Sequence, residues 1–257
     1  MEILKELNKF NDILFNEELH KYTSKTKNIN FISATGLISL IEDFDEIGLA
    51  TKQADELDVK VEDILSNWQD LKNYASNLGS EIHKYIELAW QNKSYFGNEK
   101  VFADWDNENH NMLEDFKKRC FNYDIFHKMV SKEFIAIRNE LVIYDEYYGV
   151  AGMIDLLCYE KSTSNIYIFD WKSSKEIKKE NSFKKLKYPL AEYDSSNFII
   201  YSLQLSIYKT IIELNTSLRI NKMCIIKISK DEKCKPILCK DMSKEAIKLL
   251  EYYKKRN

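Results

Sequence analysis

The sequence predicts an α/β (α+β) fold, with a mixed central sheet flanked by helices in a single domain. The order of its periodicities is the first reason. A helix precedes three strands in a meander, and a second helix, a fourth strand and a closing helix follow, an order that lays helices over a sheet. Punctuation is the second reason. Two prolines, six glycines, no internal repeat and no Ser/Gly-rich linker leave no boundary at which to divide the chain. The third is size, since 257 residues with 44% hydrophobic and 13% aromatic content build a sizeable core.

The elements follow in order. "ILFNEELHKYTSKTKNINFIS" reads as short strands around polar turns, and helical segments run from about residue 34 to 75. In "NYASNLGSEIHKYIELAWQ", Leu78, Ile82, Ile86 and Ala89 recur at helical spacing, which predicts an amphipathic helix. A further helix is expected near 108–128. Then "KEFIAIRNELVIYD", a turn at "EYYG", "VAGMIDLLCYE", another turn and "NIYIFDWKS" predict the meander. A long helix at 197–214, the strand "KMCIIKIS", a weaker strand near Ile237 and a helix from about Ser243 complete the chain. Residues 1–75 are expected to form an N-terminal hairpin and helical embellishment, and residues 76–257 the core.

Composition narrows the function. No apolar run reaches membrane-spanning length, and "MEILKELNKFNDILF" scatters charges through its apolar residues, so neither export nor insertion is expected and the chain is placed in the cytoplasm. Cys120, Cys158, Cys224, Cys234 and Cys239 are odd in number and contain no C-x-x-C, which predicts reduced thiols. The formal net charge of −3 hides segregation: residues 42–63 hold nine acids and two lysines, whereas residues 172–187 hold seven lysines and two glutamates. Such a basic run is either a solvated loop or a surface for a polyanion.

Three acids fall on the meander, Glu140, Asp155 and Asp170, one per strand. In "IYIFDWKSSK", alternation puts Asp170 and Lys172 on one face of a strand and Phe169 and Trp171 on the other, in the core. Asp155 sits between Ile154 and Leu156, where a carboxylate is costly unless paired or metal-bound. Two or three carboxylates beside a main-chain carbonyl form a hard oxygen site for Mg²⁺ or Mn²⁺. Such an ion polarises a phosphate oxygen and acidifies a bound water, and Lys172 would orient or deprotonate that water and offset charge at phosphorus. A plain Asp/Lys ion pair at a strand end is the alternative. On the helix "GSEIHKYIE", Gly79, His83 and Glu87 recur every four residues along one side. His83 is either a packing residue or an additional metal ligand or phosphate contact.

Taken together, "GSEIH", the glutamate of "NELVIYDEYYGVAGMID", the "GMID" aspartate, "DWK" and "YSLQLSIY" resemble the PD-(D/E)XK nuclease superfamily in its RecB-like exonuclease branch. Phage and viral exonucleases of that branch and the mitochondrial genome-maintenance exonuclease are similar, and the resemblance covers most of residues 12–230. It implies a restriction-endonuclease-like core. It also implies roles: Asp155 as the first metal-binding aspartate, Asp170 as the acid of the D/E-x-K triplet, Lys172 as the catalytic lysine and Glu140 as a further acid near the metal. The Trp171 backbone carbonyl would complete the shell of one or two Mg²⁺ or Mn²⁺ ions, and His83 would be the branch's extra ligand. Gln204 and Tyr208, one helical turn apart, would contact substrate or brace Lys172, or else merely pack their helix on the sheet. Branch members with an iron–sulfur cluster carry one cysteine before the histidine helix, whereas none precedes Cys120 here, so no cluster is expected.

The implied activity is that of a metal-dependent, phage-type DNA exonuclease in replication, recombination or repair, acting on single strands or DNA ends, with a recombination or replication protein as a partner. Lys-, Asn- and Ile-rich usage fits an AT-rich phage or bacterial genome. Ser173, Ser174, Lys175, Lys178, Lys179 and Lys184 would follow the phosphate backbone, and Trp171, Phe183 and Tyr188 would stack bases. Four arginines in all make groove reading unexpected. A flap or branch endonuclease and a catalytically inactive DNA-end-binding accessory protein are the alternatives.

Overall fold

The computed structural model describes residues 2–16, 19, 21–43, 45–106, 110–173, 176–181 and 183–256. Ser174 and Lys175 therefore lie outside the described residues. In chain order the elements are α1 (Glu2–Leu7), β1 (Ile13–Asn16), β2 (Lys21–Ser24), β3 (Asn30–Ser33), α2 (Ala34–Ser39), α3 (Glu46–Leu57), α4 (Val61–Trp90), α5 (Glu99–Trp105), α6 (Met112–Glu133), β4 (Phe134–Asp145), β5 (Val150–Glu160), β6 (Ile166–Lys172), α7 (Asn197–Asn215), β7 (Ile220–Lys227), β8 (Lys235–Leu238) and α8 (Ser243–Lys254). The mixed α/β class expected from the sequence is the class observed, and the meander strands lie on the apolar runs read as strands. Two compact units divide these elements, one of residues 1–42, 127–227 and 235–257, the other of residues 43–126 and 228–234. Among the described residues no helix is long and apolar enough to cross a membrane.

The first unit holds one eight-stranded sheet in the order β1-β2-β3-β5-β6-β7-β8, with β4 paired to β5 off that path. It is mixed: β3–β5 and β6–β7 are parallel, and the other pairs are antiparallel. Antiparallel β4 accompanies β5 along its whole length, from Asp145↔Val150 to Phe134↔Glu160, and so fills one of its edges. The opposite edge is shared. β3 meets it at Val150 and Ala151, β6 meets it from Leu156 to Tyr159, and Gly152 to Asp155 pair with neither. The sheet thus forks at the "GMID" segment.

Helices α2, α7 and α8 and the sheet bury one core, in which Leu37, Ile154, Ile168, Leu203, Ile211 and Leu249 are fully enclosed. Each contributes about 1.5–3 kcal/mol relative to exposure. Ser196 caps α7 by accepting the Ile199 N–H, and Leu203, Ile207 and Ile211 recur at four-residue spacing, which sets the roll of that helix against the sheet. Two of its buried hydroxyls are also used. Ser202 and Ser206 accept the N–H groups of Lys240 and Met242 at 3.2 and 2.9 Å, tying the segment after β8 to α7.

The second unit is helical. Acids Glu62 and Asp63 open α4 and complement its dipole, and Leu78, Ile82 and Ile86 form the buried stripe expected from their spacing. A small apolar cluster of Ala50, Ala54 and Ile64 joins α3 to the start of α4. Glu81 is buried and satisfied, accepting the Tyr95 hydroxyl at 2.7 Å and the Asn98 N–H at 2.8 Å. Asn98 in turn caps α5.

Candidate active site

The fork positions the acids. Asp155, 9% exposed, ends the unpaired stretch of β5, and its Oδ2 accepts the Trp171 N–H at 2.8 Å. A side chain takes over where the β5–β6 ladder stops, and a backbone donor orients one carboxylate oxygen. Across the other edge, Glu140 falls between the pairs Asn139↔Leu156 and Leu141↔Ile154, level with Asp155. It has a left-handed φ of 45°, a conformation that costs a non-glycine residue roughly 1–3 kcal/mol. A carboxylate oxygen of Glu140 and one of Asp155 lie within 4.8 Å of each other. Two close carboxylates, one almost enclosed, fit a hard divalent cation and could hold one.

Asp170 and Lys172 share a face, as alternation requires, and pair at 2.7 Å. Asp170 is 2% exposed, and the Lys172 ammonium also lies over the Tyr201 ring, 5.0 Å from its centroid. Burial pulls the Lys172 ammonium toward neutrality, but the charges of Asp170 and Asp155 outweigh it and hold the lysine protonated well above its usual range. The ion pair is therefore present, and it stands in the same field as Asp155. Phe169 and Trp171 are buried on the opposite face. That burial corrects one expectation, because an enclosed Trp171 has no ring face to offer a nucleobase.

On α7, Gln204 Nε2 donates to the Tyr208 hydroxyl at 2.8 Å, with both side chains buried. The Tyr208 ring approaches β5 closely at Gly152, where a Cβ would stand 2.2 Å from its Cε1 atom. Burial raises the Tyr208 hydroxyl well above its usual pKa despite the Gln204 bond, and Asp170, Tyr22 and Asp155 act in the same direction. Tyr22, on β2, is pushed up to about 12, first by burial and then by Glu140 and Asp155. Both phenols thus lie in the field of the acids. The sequence reading quoted the segments that hold Tyr22, Tyr201 and Gly152 but gave those residues no role. Only Gly152 carried a local signal, since a glycine inside a strand marks a close approach.

The basic segment is tied down. Phe198 N–H, the Ser196 hydroxyl and Ser195 N–H donate to the carbonyls of Lys178, Lys179 and Lys184 at 3.1, 2.9 and 2.9 Å, anchoring it to the start of α7. The side chains of Lys178 and Lys179 are exposed, those of Lys184 and Ser173 are half-buried, and Phe183 and Tyr188 are 94% and 69% exposed. His83 belongs to the second unit, half-buried on α4, and its neighbour Glu87 pairs with Lys84 at 2.7 Å.

No family profile matches the chain, and no curated protein matches it. Among solved structures, it is similar to a protein from Eubacterium rectale described as "Putative exonuclease", at 15% identity and a TM-score of 0.44, over 71% of this chain. The chain spans 65% of the length of that protein.

Proposed function

We propose that the protein is a metal-dependent deoxyribonuclease of phage type, an exonuclease acting on DNA ends or single strands, built as one PD-(D/E)XK nuclease domain with residues 1–75 as its embellishment. The observation that carries this reading is the convergence of Glu140, Asp155 and the Asp170–Lys172 pair at the unpaired edge of β5. Asp155, Asp170, Glu140 and the Trp171 carbonyl would hold Mg²⁺ or Mn²⁺, with His83 contributing an imidazole nitrogen. When bound, such an ion polarises a phosphate oxygen and acidifies a water.

The chain's own groups do the rest. Lys172, held as an ammonium, binds a phosphate oxygen and offsets charge as it develops. The Asp155–Trp171 bond fixes one carboxylate oxygen and so orients the carboxylate that would face a cation. Gln204 and Tyr208 border the acids and offer a hydroxyl to substrate. Ser173, Lys178, Lys179 and Lys184, on a segment pinned to α7, line up cationic and polar groups for a phosphate backbone, with Phe183 and Tyr188 as stacking faces. A recombination or replication protein would bring the enzyme to its DNA.

Digestion of end-labelled single- and double-stranded DNA, linear and circular, with Mg²⁺ or Mn²⁺ tests the reading. Mononucleotides or short products from linear DNA only are expected. Asp155→Asn and Lys172→Ala should each lower cleavage on the order of 10²-fold or more while DNA binding in EDTA persists. Full activity in either variant sinks the assignment, and cleavage of circular DNA makes the enzyme an endonuclease. In the same assay His83→Ala should raise the Mn²⁺ concentration needed for half-maximal rate. An unchanged titration returns His83 to a packing role.

A further inference from the structure

Two contacts of different physical kind aim the Lys172 side chain: Asp170 Oδ2 at 2.7 Å and the Tyr201 ring at 5.0 Å. They respond differently to a bound cation. A carboxylate that ligates a divalent ion shares its charge and attracts a neighbouring ammonium less. The quadrupole of a phenol ring neither ligates a hard cation nor titrates in the neutral range, so its pull on the ammonium persists. With Lys172 only 20% exposed, the ring contact is partly desolvated, where such contacts are strongest.

We propose that Tyr201 is a positioning residue of the candidate active site, whose ring face keeps the Lys172 ammonium aimed when Asp170 is engaged by a divalent cation. Helix α7 is built to present it. Tyr201, Gln204 and Tyr208 fall at i, i+3 and i+7 and share one side of the helix. The enclosed residues Leu203, Ile207 and Ile211 fix the roll of α7, and Tyr201 itself packs, half-buried, against the same core. The role of the aim in cleavage rests on the nuclease reading, whereas the contact itself does not.

The experiment compares wild type with Tyr201→Leu, which removes the ring, and Tyr201→Phe, which keeps its face. Acetylation of Lys172 by an N-hydroxysuccinimide ester is followed by peptide mass spectrometry, in EDTA and in Mg²⁺. Circular dichroism confirms that each variant is folded. In Mg²⁺, Lys172 of Tyr201→Leu should react about tenfold faster than in wild type, with a smaller difference in EDTA, where Asp170 alone suffices. For cleavage, kcat of Tyr201→Leu should fall about tenfold with KM within about twofold, and Tyr201→Phe should restore most of kcat. Equal labelling rates in the leucine variant and wild type overturn the proposal. So does an unchanged kcat, or an equal loss in the phenylalanine variant, which would assign the effect to the hydroxyl. If wild type cleaves no DNA, the nuclease reading fails and the labelling arm still decides whether Tyr201 holds Lys172.

Discussion

Glu140 holds a left-handed φ of 45° in the middle of a strand, where nearly every L-residue is extended. Asparagine tolerates that region, so Glu140→Asn should leave unfolding free energy in urea unchanged or raised by up to about 1 kcal/mol, while metal-dependent cleavage falls. A loss of more than about 1 kcal/mol would show that the glutamate is there for packing. The acids themselves were legible one residue at a time. Asp155 stood out because it interrupts an apolar run, and Asp170 and Lys172 because strand alternation puts them on one face. The geometry of Glu140 was not legible, since a backbone irregularity depends on the register with β5. Tyr22 and Tyr201 were equally hidden, because only distant pairing or helix roll brings a phenol to the acids.

At the scale of elements, β5 and α7 meet through Gly152 and Tyr208. A Cβ at residue 152 would stand 2.2 Å from the Tyr208 ring, so Gly152→Ala should force the ring aside. Overpacking of this kind costs about 1–3 kcal/mol, to be read as a lower urea midpoint at unchanged slope, and cleavage should weaken with it. An unshifted midpoint would mean that α7 yields at no cost. Strands β4 to β6 were readable because runs rich in β-branched and aromatic residues and a turn at "EYYG" agree, although β5 and β6 are buried on both faces. Helix α4 was only half readable. Its apolar stripe begins at Leu78, but the helix starts at Val61, through a polar stretch in which Ile64 alone is buried. The seven residues of α5 were not foreseen, because that helix depends on the Asn98 cap and on Glu81 seventeen residues away. Two compact units were also invisible, since the smaller one is closed by residues 228–234 returning from beyond β7.

For the molecule as a whole, Tyr22 links the site to stability at high pH. Its folded pKa of about 12 lies above the usual value of 10, so the folded protein keeps a proton that the unfolded chain releases. The stabilisation is complete below about pH 10 and is lost as pH rises toward 12, about 2–3 kcal/mol from this 6% exposed group. Urea melts between pH 9 and 12 should therefore be about one proton less steep in pH for Tyr22→Phe than for wild type. Parallel curves would mean that the Tyr22 phenol titrates alike in the folded and the unfolded chain. The forked edge of β5 also sets an order of assembly. Glu140, Asp155 and Asp170 sit on consecutive strands that close through short loops, whereas Ile32↔Val150 closes a loop of well over a hundred residues through two residue pairs. Loop closure alone makes that distant pairing costlier by about 2–3 kcal/mol. On loop length, β4, β5 and β6 are expected to pair before β3 reaches Val150, so the acids first meet in open water, where their mutual repulsion is screened.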